Sequence, residues 1–211
     1  MRIRPSHAAT AIAAALLLGA SPFAQAELAS YRFDPVHTQV VLFADHLGLS
    51  HGIGRAKVGS GWLRFDADDW STAQLDVSVD LTTLDMGEVK WTRTVQSSQF
   101  LDVKRYPTAR FVSHSVEKTG PTIGTVAGEL SLHGKTRPVT MQLKFNRIGR
   151  DPYAFKTKAG FSARMTIDRF DFGIDRYREV VGAEVEMRIE VEAILDPKAA
   201  SGEPTDGAQE Y

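Results

Sequence analysis

Three of the chain's six histidines, His37, His46 and His51, fall within VHTQVVLFADHLGLSH at 36–51. Imidazoles grouped in this way are ingredients of metal sites and of acid–base pairs. The residues between His37 and His46, however, are mostly apolar and β-prone. A strand rises about 3.3 Å per residue, so nine residues separate these two by roughly 30 Å on an unbroken strand, and the odd spacing puts them on opposite faces. They cannot share a metal whose ligands must lie about 2 Å from it. His46 has the parity of Val40, Leu42 and Ala44, taken as the inward face, and is expected near one rim; His37 is expected to point outward near the other. A turn at Gly48 could bring His51 back toward His46 and Asp45, but no third ligand of fixed spacing follows, so local hydrogen bonding at a rim is expected and no metal site.

Other chemistry fares no better. Ser50 beside His51 lacks the strand–turn–helix setting of a nucleophile elbow. DRFDFG at 168–173 reads as a turn packed on the core, and no phosphate-cradling glycine loop or dinucleotide fingerprint occurs. The absence of cysteine excludes a thiol nucleophile, thiolate metal sites and a disulfide scaffold. No catalytic residue is therefore assigned, and the chain is not expected to be an enzyme.

The elements that would position these residues are strands. AQLDVSVDL puts Ala73, Leu75, Val77, Val79 and Leu81 on one face; VTMQLKFN and AEVEMRIEVEA repeat the alternation through Val139, Met141, Leu143 and Phe145 and through Val185, Met187, Ile189 and Val191. Each has one apolar and one wet face, as in an antiparallel sheet with a solvated exterior. Weaker alternation at 36–45, 57–65, 107–117, 125–133 and 159–167 brings the expectation to about eight strands. Strands this long leave long edges, which closure into a barrel removes. Polar outer faces argue against a membrane barrel. GEVKWTRTVQSSQFL, 87–101, spaces Trp91 and Val95 four apart, so a short amphipathic helix is expected there, covering one opening.

The ends read differently. Residues 1–26 have a basic start, a short apolar run and a small-x-small ending at Ala24-Gln25-Ala26, the pattern of a secretory signal peptide. Removing them takes away two arginines and no acid, leaving 23 basic residues against 26 acidic ones, a charge of −3. That balance gives no electrostatic footprint for nucleic acid or for anionic lipid surfaces. Residues 27–195 suit one domain, and 196–211, rich in Pro, Gly and small polar residues, are expected to be disordered.

FDPVHTQVVLFADHLGLS, SSQFLDVKRYPTARFVSHSV, VAGELSLHGKTRPVTM and IDRFDFGI…VGAEVEMRIEVEA resemble, in order and spacing, the YceI-like family from about Tyr31 to Leu195. The resemblance implies an all-β, eight-stranded antiparallel lipocalin-like barrel, exported to the periplasm and holding a polyisoprenoid such as a quinone tail in an apolar cavity, with no required cofactor. His37 and His46 fall on the family's two first-strand histidines, and Phe100, Tyr106, Pro107 and Phe111 on its F…YP…F segment. The chain departs from the family in the helix, where Trp91, Thr92, Arg93, Thr94 and Val95 replace a charged R-D-x-H-L run, and in the second strand, where Ala56 replaces a bulky aromatic. His51 lies outside the pattern.

Expected cavity residues are Val40, Leu42, Ala44, Leu75, Val77, Val79, Phe111, Leu143, Phe145, Met165 and Met187, with Trp91 and Val95 closing a lid and His46 meeting a head group at the rim. Expected partners are the isoprenoid or other long-chain lipid and a membrane quinone-using protein; a homodimer stays open. Two alternatives stay open beside the lipid binder: a metal-dependent or haem-associated enzyme on the same barrel, and a ligand-free, stress-related interaction protein.

Overall fold

The computed structural model describes residues 28–201; the expected signal peptide at 1–26 and the last ten residues of the tail lie outside them. The chain forms β1 (Ala29–Phe33), β2 (Gln39–His46), β3 (Ser50–Phe65), β4 (Gln74–Asp85), α1 (Val89–Gln96), β5 (Thr108–Lys118), β6 (Ile123–Leu132), β7 (Lys135–Arg150), β8 (Thr157–Asp168) and β9 (Val181–Leu195). From β2 to β9 each strand pairs antiparallel with the next, and β9 returns to β2. The result is a closed, eight-stave, up-and-down barrel without free edges.

β1 is the strand that sequence periodicity missed. It pairs with β3 at one side and β9 at the other, as β2 does further along. β1 and β2 are thus two halves of one stave, interrupted at Asp34–Thr38. Pro35, which cannot donate to a ladder, sits in that interruption. β3 also extends further than alternation suggested: residues 50–56 carry Gly52 and Gly54 on the inward face, where no side chain reveals the period.

Local chemistry closes the turns. His133 and Gly134 hold φ of 52° and 74° between Leu132 and Lys135, a two-residue connection of the kind that matches strand twist. Gly128 is required by close packing: a Cβ there would stand 2.2 Å from the Val112 carbonyl oxygen and 2.6 Å from the Phe111 ring.

The two ends of the barrel differ. At the end carrying the β3–β4 and β7–β8 connections, Phe65, Trp70, Phe145 and Phe161 form an aromatic plug, with Phe65 and Phe161 edge-to-face at 4.9 Å and Phe65 and Trp70 at 5.5 Å. At the other end lie the β2–β3 turn, α1 and the β8–β9 connection. α1 is shorter than the 87–101 helix expected, because Glu88 caps its start and the chain turns after Gln96. The stretch after β9 is placed as far as Ser201: Asp196 donates its N–H to the Ser30 carbonyl and pairs with Arg32, and Ala199–Ser201 form a 3-10 turn. Residues 196–201 thus lie beside β1 and β3.

Candidate functional site: an apolar tube through the barrel

Inward-facing side chains enclose a cavity of about 280 Å³. Along β2 it is lined from Thr38 to His46, roughly 26 Å of strand, so the space is a slender tube. β2 contributes Val40, Leu42, Ala44 and His46, and β4 contributes Leu75, Val77 and Val79. Trp91 and Val95 of α1, Phe111 of β5, Leu143 of β7, Met165 of β8 and Met187 of β9 complete the expected set that reaches it. Phe145 is the exception. It faces inward as its parity demands, but packs on Phe65, Trp70 and Phe161 in the plug and does not line the tube. The neighbour that draws it there, Trp70, lies in a loop between strands, where alternation carries no information.

Polar lining is confined to a few places. Thr38 sits at the break in the first stave, Arg64 and Gln74 at the plugged end, and Asp45, His46 and Arg169 at the mouth. Asp45 already accepts the Gly48 N–H at 3.0 Å. His46 meets Trp91 edge-on, ring centres 6.0 Å apart. Trp91 can lie there because residue 52 is glycine, where a Cβ would stand 3.1 Å from the indole. Ala56 groups with Leu84 and Met86 in a small cluster against Leu42, Val95 and Leu101.

Arg169 is the mouth residue that sequence reasoning passed over. Only 3% exposed, it donates from Nε to the Gly182 carbonyl at 2.8 Å and from Nη2 to Val181 at 2.8 Å, and its Nη1 reaches the Ile174 carbonyl. Burial and the neighbouring Arg178 push its guanidinium below the ordinary arginine value. The DRFDFG segment around it is a 3-10 turn, Arg169–Phe172, with Phe172 buried, as a turn packed on the core should be. An arginine inside such a turn was the available signal. Phe100, Leu101, Ile174 and Val181, all in or beside connections, also line the mouth.

The remaining histidines lie elsewhere. His51 pairs in register with Asp45 on the outward face of β3, while His46 faces inward, so the two do not converge. His37 precedes β2 in the stave break, not on the strand, and its Nδ1 lies 2.9 Å from Asp34 Oδ2. Among the described residues Asp34, His37 and Glu192 form a group with metal-ligand spacing. A cation already stands there: Lys158 Nζ is 2.9 Å from Asp34, 2.8 Å from Glu192 and 3.0 Å from Asp151. The three carboxylates thus converge on one ammonium group, which bridges them on the outside of the barrel wall.

Comparison with known proteins agrees with this architecture. The profile of the YceI-like domain matches residues 31–193. The chain belongs to the YceI-like family. A UPF0312 protein of Pseudomonas putida is 36% identical over 174 residues, covering 82% of this chain and 88% of the relative. One of Pseudomonas syringae pv. tomato is 35% identical over the same length, with the same shares covered. Among solved structures, Burkholderia cenocepacia BcnA superposes with a TM-score of 0.65 at 21% identity, over 76% of this chain and 98% of BcnA. A domain of Saccharophagus degradans described as polyisoprenoid-binding gives 0.60 at 11% identity, over 81% of this chain and all of the domain. At such identities these structures share the YceI-like barrel itself.

Proposed function

We propose that this YceI-like barrel holds a polyisoprenoid or a comparable long-chain amphiphile, such as a quinone tail, for carriage or sequestration in the periplasm. The observation that carries the reading is the tube: long, narrow, and apolar between polar groups at its mouth and its plugged end. A slender tube accepts one extended chain, and each buried CH₂ contributes about 0.8 kcal/mol, so a long tail needs no special chemistry to bind. A head group would then rest among His46, Trp91 and Arg169, which suits a site with few orienting polar groups. The Saccharophagus domain of the same fold, described as polyisoprenoid-binding, supports the same ligand class. The signal-peptide pattern at 1–26 supports export.

The test is direct. Protein purified without detergent is extracted with organic solvent, and extract and intact protein are analysed by mass spectrometry. A stoichiometric isoprenoid or other long-chain lipid is expected, as is quenching of tryptophan fluorescence by added quinone that disappears in Trp91→Phe. An empty protein whose fluorescence does not respond to quinone overturns the reading.

A further inference from the structure

Among the described residues, the rim of the tube carries apolar side chains that are left exposed. Leu47 and Leu49, in the β2–β3 turn, are 52% and 82% exposed; Trp91 on α1 is 40% exposed and Tyr177 in the β8–β9 connection 48%. These positions belong to three segments, which touch one another in turn, with the stretch after α1 between two of them, and close a ring. Leu47 donates its N–H to Val180. Tyr177 stacks on Phe100 at 5.5 Å and its hydroxyl bonds Gln99. Leu101 donates its N–H to Val95 of α1. Trp91 returns to His46 and Gly52, beside the turn that carries Leu47. His46, Trp91, Val95, Phe100 and Leu101 also line the tube, so the ring surrounds its opening.

The geometry points to this ring as a membrane-docking surface through which the amphiphile passes between a lipid bilayer and the tube; the inference rests on the lipid-binding reading. A long apolar chain crossing bulk water exposes all its surface, whereas a mouth seated in the interfacial layer keeps the chain covered throughout. Exposed leucines insert into that layer, and Trp and Tyr favour its depth because each has an apolar body and a polar edge. The charges of the ring nearly balance: Lys90, Arg93, Arg176 and Arg178 stand against Glu88, Asp175 and Glu179. Docking is thus driven by apolar insertion, with weak dependence on salt. The plugged end supplies an internal control, since Tyr153 and Phe155 are also exposed, at 92% and 70%, but lie in the β7–β8 connection away from the mouth.

The experiment is flotation of the purified protein, its N-terminus defined by mass spectrometry, with phosphatidylethanolamine/phosphatidylglycerol vesicles at low and high salt. The chain should float, with less than a threefold change between 50 mM and 500 mM salt. Leu47→Glu/Leu49→Glu should cut the bound fraction at least tenfold, Leu49→Glu alone should cut it severalfold, and Tyr153→Glu/Phe155→Glu should leave it unchanged, with circular dichroism confirming the fold of each. Failure of the wild-type protein to float, or equal loss in the plugged-end variant, overturns docking. So does a wild-type dimer that Leu47→Glu/Leu49→Glu converts to monomer without any vesicle binding, because the ring is then covered by a second copy. A protein that carries lipid without floating sinks docking alone, and one that floats but never carries lipid sinks the carrier reading.

Discussion

Lys158 shows how single residues keep the wall of this barrel closed where its first stave breaks. Asp34, only 1% exposed, has its carboxyl raised by burial, yet hydrogen bonds from Lys158, His37 and the Val36 amide outweigh that and hold it at about 2. Asp151 is likewise held at about 2 by the amides of Ala154 and Tyr153 and by Lys158. Burial opposes the charge on Lys158, but bonds from Glu192, Asp34 and Asp151 raise its value above normal. Carboxylates with depressed values add stability that is complete above their unfolded value near 4 and is lost as pH falls toward 2. The urea midpoint of the wild-type protein should therefore decline between pH 4 and pH 2. Lys158→Met strands the buried Asp34 carboxylate and should cost about 3 kcal/mol at pH 7. The gap between the wild-type and variant curves should narrow as pH falls from 4 through 2 and close below 2, where Asp34 is protonated in both; a constant gap across that range would sink this account.

At the scale of elements, the mouth depends on how α1 and the β8–β9 connection are tethered. Glu88 accepts the N–H groups of Lys90 and Trp91, at 3.0 and 2.8 Å, fixing where the helix begins and so where Trp91 stands. Arg169 does the same for the β8–β9 connection by binding the Ile174 carbonyl within it and the Val181 and Gly182 carbonyls where β9 begins. A charged donor contributes about 1.5–3 kcal/mol per hydrogen bond, offset by the cost of burying the guanidinium. Arg169→Met, similar in length but without donors, should destabilise by about 3 kcal/mol. Hydrogen exchange should rise within 170–182 and stay unchanged at the plugged end; uniform acceleration would show that the residue holds the whole barrel and not this connection.

For the whole molecule, a closed barrel with one plugged end and one open end makes the tube the place where occupancy and stability meet. A ligand that binds only the folded state at a hundred times its dissociation constant stabilises it by about 2.7 kcal/mol. For a chain of this size, that raises the unfolding temperature by about 5–10 °C. Protein stripped of lipid by solvent or detergent and refolded should melt lower by this amount and recover when an isoprenoid quinone is added. Scanning calorimetry that finds equal melting temperatures before and after stripping would contradict a lipid in the tube.

Period-two alternation in segments such as 73–81 and 184–192 was enough to define inward and outward faces, because in a strand that choice is local and each side chain declares it. The barrel, the parity of His46, and most of the tube's wall followed from this one regularity. What alternation cannot carry is anything set by residues distant in the chain. Gly52 and Gly54 present no side chain, so the first half of β3 was silent until its partners were known. Phe145 has the parity of a tube residue, and only its neighbours Phe65, Trp70 and Phe161 put it in the plug. Arg169 became a mouth residue, and Lys158 the centre of three carboxylates, through partners up to 124 positions away. His37, His46 and His51 looked grouped along the chain, but strand direction and pleat sent them to three different places. The amino-acid sequence by itself determined which faces are apolar; closure of the sheet decided which of those faces share a space.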